Sequence, residues 1–278
     1  MRGVSRASLA DAKEHLSAVL AASAASSGAA GQEAGQLGQE LFAVTGLLDD
    51  EPSLRRILSD PSQQVSGKQS LARSLLRGKV GDPTLDLVTS LVGESWSEPS
   101  DLPDAAEQLA VLAVAEAADR DGALDELEDE LFRFGRVVNA EPQLRITLSD
   151  PFIPPERKNG LLVSLLGGKV SRQTMQLVSQ AADRPRGRSL DVSLDEYARL
   201  AADRRERLVA EVHVAVALTD EQRSRLRAAL AASYGRDVHL NIVVDPKVIG
   251  GISVQISDEI IDGTIAGRLG ELRRRMAA

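Results

Sequence analysis

The chain of 278 residues contains no cysteine, which excludes disulfides, thiolate metal sites and a cysteine nucleophile and suits a reducing compartment. Histidine is almost as scarce. His15, His213 and His239 are the only three, and none has a partner at the spacing of metal ligands or a catalytic triad. No stretch approaches the roughly 20 consecutive apolar residues that a membrane helix needs. Clustered basic charge, which nucleic-acid phosphates demand, is missing as well. Residues 1–180 carry 17 Lys/Arg against 26 Asp/Glu, and residues 181–278 carry 16 against 15. The one basic run, Arg-Pro-Arg-Gly-Arg at 184–188, reads as a solvated linker.

Motifs that carry chemistry are lacking too. Residues 164–171, SLLGGKVS, approach a phosphate-binding loop, but Val163 replaces its first glycine and Val170 its magnesium-binding hydroxyl. This stretch therefore reads as a helix end. The seven carboxylates between Asp119 and Glu130 are spread around a helix and suit a solvated face better than a metal site. Near the start, Arg2 and Arg6 precede LSAVLAASAA, which imitates an export signal. Asp11 and Glu14 break the basic region, however, and Leu9, Leu16 and Leu20 keep helical spacing, so a first helix is expected there.

What the sequence does contain is a repeat. Residues 50–88 and 140–178 align without a gap and are identical at 19 of 39 positions. Leu37, Leu41 and Phe42 fall on Leu127, Leu131 and Phe132 at the same shift of 90. A period that long is domain-sized, unlike the 20 to 50 residues of a solenoid unit. Within each copy the pattern is helical. Leu71, Leu75 and Leu76, echoed by Leu161, Leu165 and Leu166, mark one face. Gly78 and Gly168 stop that helix, and Pro61 and Pro151 close the one before it. The stretch 25–36 reads as the turn after the first helix, with 115–126 as its counterpart. Trp96, the lone tryptophan, lies near the boundary between copies and is expected to pack.

From residue 209 the apolar period falls to two. Val212, Val214, Val216 and Leu218 alternate with His213, Ala215 and Ala217; Val238, Leu240, Ile242 and Val244 do likewise, as do Ile252, Val254 and Ile256. These predict three half-buried strands with His213 and His239 on their outer faces, followed by a short strand at 260–262. Between the first two strands, Thr219 and Gln222 form a capping box for a helix that buries Leu226 and Leu230 and stops at Gly235. Gly250 and Gly251 predict a turn with positive φ. A last helix is expected from Asp262 or Thr264 through Arg273, Arg274 and Arg275. The fold class is mainly α: two tandem helical bundles, 1–100 and 101–205, then a small α/β domain, 206–278. Residues 101–118 could close the first bundle, open the second, or do both.

Residues 238–276 contain, in order, Val244, Asp245, Pro246, Ile249, Gly250, Gly251, Asp262, Gly263, Thr264, Arg268 and Leu269. This ordered set resembles the C-terminal signature of the δ subunit of F-type ATP synthases, whose mitochondrial relative is the oligomycin sensitivity conferral protein. The family has one six-helix bundle before its α/β domain, so this chain departs by carrying the bundle pattern twice, and the first copy looks like the added one. The resemblance implies a non-catalytic stator subunit of the peripheral stalk, without a cofactor. Its bundle would grip N-terminal helices of subunit α on the catalytic head. Its C-terminal domain would grip the C-terminal end of subunit b. It would bind no nucleic acid, insert nowhere, and sit peripherally at the cytoplasmic face of the plasma membrane. The resemblance does not say which residues touch either partner. A helical-repeat adaptor unrelated to ATP synthase would explain the duplication but leave the ordered match at 238–276 unexplained.

Overall fold

Proline and glycine set the helix ends in both copies. In a computed structural model that describes residues 1, 3–26, 30–203, 208–216, 218–234, 238–245, 250–256 and 259–262, helices α1 (Gly3–Ser26) and α2 (Ala30–Asp50) precede three short ones, α3 (Pro52–Ser59), α4 (Val65–Leu76) and α5 (Asp82–Gly93). Next come α6 (Asp101–Arg120), α7 (Leu124–Ala140), α8 (Pro142–Ser149), α9 (Pro155–Leu166), α10 (Arg172–Asp183) and α11 (Leu190–Asp203). Each boundary of α8 to α10 lies 90 residues after the matching boundary of α3 to α5. Pro52 and Pro142 open their helices where the missing N–H has no partner to lose. Asp60 and Asp150 then turn the chain, each accepting a hydrogen bond at 2.8 Å from the backbone N–H two residues on. Gly78 and Gly168 stop α4 and α9 at φ +75° and +71°, a conformation that costs glycine nothing.

The helices from α1 to residue 201 share one continuous apolar core. Helix α6 runs through its middle, with Leu102, Leu109, Val111, Val114 and Ala118 all fully buried. The expected boundary at 100/101 therefore does not separate two cores. Helices α1–α6 make one six-helix set and α6–α11 another, with α6 common to both. The compact units of the chain are Met1–Ala201 and Ala202–Ala278. Trp96 is buried at the entrance to the shared helix, its Nε1–H donating to the Leu91 carbonyl at 3.1 Å.

One expected turn is a helix. From Ala30 onward the stretch read as a connection already belongs to α2, and its glycines serve close packing rather than turning. A second correction concerns the run at 184–188, which is partnered by carboxylates from two distant helices rather than solvated, as described below.

The second unit is a four-stranded sheet in the order β2-β1-β3-β4, built from β1 (Leu208–Val214), β2 (Val238–Val244), β3 (Ile252–Ile256) and β4 (Glu259–Asp262). β1 and β2 are parallel, which requires a crossover; helix α12 (Asp220–Tyr234) supplies it. β3 and β4 are antiparallel to their neighbours. Val212 lies opposite Ile242 on one side and Val254 on the other. Ala210, Val212, Val214, Val238, Leu240, Val254 and Ile256 form the core with Leu230 of α12. The capping box forms as expected: the Thr219 N–H donates to Gln222 Oε1 at 2.9 Å, and the Gln222 N–H to Thr219 Oγ1 at 3.3 Å. β1 is shorter than its alternation suggests. It ends at Val214, where β2 and β3 also end their pairing, and Val216 beyond it is 75% exposed. Apolar alternation without a neighbouring strand does not make a ladder.

Candidate interaction surfaces

Helix α2 lies antiparallel along α6 at a distance that only glycine permits. A Cβ on Gly38 would stand 2.6 Å from Val114 Cγ2 and 3.0 Å from the Ala110 carbonyl oxygen. One on Gly31 would stand 2.7 Å from Asp121 Oδ1, and one on Gly35 would stand 3.3 Å from an Arg172 Nη. These three glycines recur at helical spacing and form a flat stripe. The Gln176 amide reaches across from α10 to the Gly35 carbonyl. Helix α2, from the first copy, is thus seated on the first and fifth helices of the second.

The other end of α2 is tied by the arginines at 184–188. Arg184 is bidentate on Asp50, at 2.8 and 2.9 Å. Arg186 reaches Asp49 of α2 at 2.7 Å, Asp104 of α6 at 2.9 Å and Glu107 of α6 at 2.7 Å. Arg188 bridges Glu107 and Glu196. Glu107 is 2% exposed and also accepts from the Tyr197 hydroxyl at 2.6 Å, so three donors compensate its burial. Burial opposes charge on Arg186, yet Glu107 and Asp49 hold its pKa above the usual arginine value. Burial raises the Asp104 pKa in spite of Arg186 beside it, and burial with the Glu107 charge raises Tyr197 well above 10.0. Arg186 takes φ +50°, the one positive φ of a non-glycine among the described residues. That conformation costs about 1 kcal/mol, which its three ion pairs offset.

Two polar devices are repeated across the copies. Glu40 accepts from the Gly81 N–H at 2.9 Å and Thr84 Oγ1 at 2.5 Å; Glu130 accepts from the Ser171 N–H at 2.9 Å and Thr174 Oγ1 at 2.6 Å. Each carboxylate caps the start of the fifth helix of its set, where the helix dipole favours negative charge. Lys68 and Lys158, both 3% exposed, donate to the carbonyls of Glu94 and Ala182. Of the carboxylates between 119 and 130, Asp121, Asp125 and Glu126 are exposed as expected, Asp121 also accepting from Gln173 at 2.7 Å, whereas Glu128 is buried and Glu130 is a cap.

His15 pairs with Asp86 of α5 at 3.0 Å on the surface, a partnership hidden by 71 residues of separation. His213 is half-buried between Val212 and Val214. Among the described residues no group of histidines and carboxylates could hold a metal, and no helix is long and apolar enough to cross a membrane.

The signature residues fall around one end of the sheet, as far as they are described. Val244 ends β2, and the Asp245 N–H donates to the Val214 carbonyl at 2.9 Å, extending the β1–β2 pairing. Gly250 and Gly251 take φ +145° and +82°, as the turn requires. Asp262 ends β4 opposite Ser253. Pro246, Ile249, Gly263, Thr264, Arg268 and Leu269 lie outside the described residues, as do Gly235 and the expected last helix.

Comparison with known proteins gives a consistent picture. The profile of a family described as ATP synthase delta (OSCP) subunit matches residues 111–276, a stretch that begins inside α6. ATP synthase subunit delta of Streptomyces griseus is 50% identical over 277 residues, covering 100% of both chains. The subunit of the same name from Streptomyces avermitilis is 49% identical over 276 residues, covering 99% of this chain and 98% of that one. That from Thermobifida fusca is 47% identical over 278 residues, again with 100% of both chains covered. These relatives align through the first copy as well as the second.

Proposed function

Because the chain belongs to the ATP synthase delta (OSCP) subunit family, we propose that it is a non-catalytic stator subunit of a proton-translocating F-type ATP synthase. In this reading the helical unit holds N-terminal helices of subunit α on the catalytic head. The α/β unit holds the C-terminal end of subunit b. The protein then sits peripherally at the cytoplasmic face of the membrane and keeps the head from turning with the rotor.

The observation that carries this reading is the end-to-end similarity to ATP synthase subunit delta, at 50% identity over 277 residues. The physics is compatible. Short helices packed side by side leave grooves that accept a partner helix. Two grips on one assembly multiply through effective concentration, so neither contact has to be extreme.

The test is a titration of the full chain with two synthetic peptides, the N-terminal segment of α and the C-terminal segment of b. Both should bind, and saturation with one should leave the affinity for the other unchanged. A chain that ignores both peptides contradicts the proposal.

A further inference from the structure

The two copies hold their sixth helices in different ways, and only the sixth helix of the second copy leads into another unit. We infer that Tyr197 and Arg188 are the anchors through which a load on the α/β unit passes into the shared helix α6, with Glu107 as the residue that receives it. The inference rests on the stator reading above, which supplies the load, and names the side chains that carry it.

The route begins with the backbone. The division between the compact units falls at 201/202, inside α11 (Leu190–Asp203). A pull on the second unit that travels along the chain therefore enters the first through that helix. Leu190, Leu194, Tyr197 and Ala201, spaced by three or four residues, bury one stripe of α11 in the helical core. Apolar burial is non-directional, whereas a hydrogen bond fixes a distance and an angle. The ties that set the position of α11 along its own axis are thus the polar ones.

Those ties converge on one carboxylate. Glu107 Oε1 accepts from the Tyr197 hydroxyl at 2.6 Å and from Arg188, and Arg188 also pairs with Glu196, the neighbour of Tyr197. Glu107 Oε2 accepts from Arg186 at 2.7 Å, and Arg186 goes on to Asp49 of α2. Load arriving from α11 on one oxygen is passed by the other to α2, which belongs to the first copy. Tyr197 also meets α2 directly, its ring centroid 6.4 Å from that of Phe42. Hydrogen bonds to an ionised acceptor are the strong class, about twice as strong as neutral ones.

The first copy shows that closing a six-helix set does not require this arrangement. At a shift of 90, Glu94, Ser95, Trp96, Ser97 and Glu98 stand where Arg184, Pro185, Arg186, Gly187 and Arg188 stand in the second copy. There the buried Trp96 packs the entrance to the sixth helix. Helix α1 aligns with α6 at a shift of 93, where LADAKEHL at 9–16 meets LPDAAEQL at 102–109 with five of eight residues identical. Glu107 thus corresponds to Glu14, which is exposed. The same carboxylate faces solvent in the copy whose sixth helix stays within the helical unit, and is buried and gripped in the copy whose sixth helix leaves it. A buried ion cluster adds little net stability over an apolar plug of similar volume, so stability alone does not account for the difference.

Because the chain has no native cysteine, introduced cysteine pairs place the handles for single-molecule pulling on the full chain. Ser53→Cys with Asp203→Cys loads the end of α11. Ser53→Cys with Gln143→Cys loads the helical unit without passing through α11, and all three positions are exposed. In the first geometry Tyr197→Phe, which keeps the ring, and Arg188→Gln should each raise the rate of α11 detachment at fixed force at least about tenfold, the change implied by losing one hydrogen bond to a charged group. In the second geometry both variants should rupture as the parent does. Equal acceleration in both geometries, or none in either, overturns the inference. A chain that ignores both peptides in the titration above sinks the stator reading and with it the source of the load, while the pulling experiment alone decides whether α11 is anchored at Glu107.

Discussion

Glu40 and Glu130 perform the same task 90 residues apart, each accepting a backbone N–H and a threonine hydroxyl at the start of the fifth helix in its set. Replacing Glu130 by alanine leaves the first turn of α10 without its acceptor and should cost about 1–3 kcal/mol. Glu40→Ala should act similarly on α5. Chemical denaturation of each variant measures this, and the double variant shows whether the two sets unfold together, as the shared α6 demands.

The pH dependence of Glu40 has a definite sign. Burial alone would raise its pKa, but the bonds from Thr84, Gln36 and Gly81 outweigh burial and bring it below the ordinary 4.5. An acid with a lowered folded pKa binds fewer protons when folded, so its contribution to stability is complete above about 4.5 and disappears as pH falls through the lower folded value. Melting temperatures measured downward from pH 6 should therefore fall less steeply in Glu40→Gln than in the parent. Equal slopes would count against the assignment.

Two glycine substitutions should move stability in opposite directions. Gly38→Ala puts a methyl 2.6 Å from Val114 Cγ2 and 3.0 Å from a carbonyl oxygen, so α2 must shift. Such overpacking costs about 1–3 kcal/mol. Gly67 lies inside α4 with nothing within 4 Å of its would-be Cβ. Gly67→Ala should therefore stabilise by about 0.5–1 kcal/mol through helix propensity and unfolded-state entropy. Thermal unfolding of the two variants side by side checks the pair.

The arginines should be unequal. Arg186→Ala removes the donor shared by Asp49, Asp104 and Glu107 and leaves the buried Glu107 with less compensation, at a cost of about 3–5 kcal/mol. Arg184→Ala breaks a pair whose members are 39% and 60% exposed, and should cost less than about 1 kcal/mol. Added salt should weaken the Arg184 contribution and leave that of Arg186 nearly unchanged. Denaturant titrations at low and high salt separate the two.

How much of this could be read from the chain depended on range. Local signals carried through: Gly78 and Gly168 at helix ends, Thr219 and Gln222 as a capping box, Gly250 and Gly251 in a turn. Each is decided within a few residues of itself. The repeat announced equivalent helices and left open whether residues 101–118 serve one set or both, because α6 belongs to both sets through tertiary burial that no local pattern specifies. Gly31 and Gly35 looked like turn residues since their use, close approach to α6 and α10, is visible only once the partners are present. Arg186 and Glu107 are 79 residues apart, so the basic run looked solvated.

The most direct measurement of the central claim is sedimentation of a mixture of the full chain, a catalytic head lacking its own δ subunit, and the soluble part of subunit b. The account predicts one complex containing all three, and no association between head and b when the chain is omitted. Head and b that associate equally well without the chain, or a chain that joins neither, would contradict it.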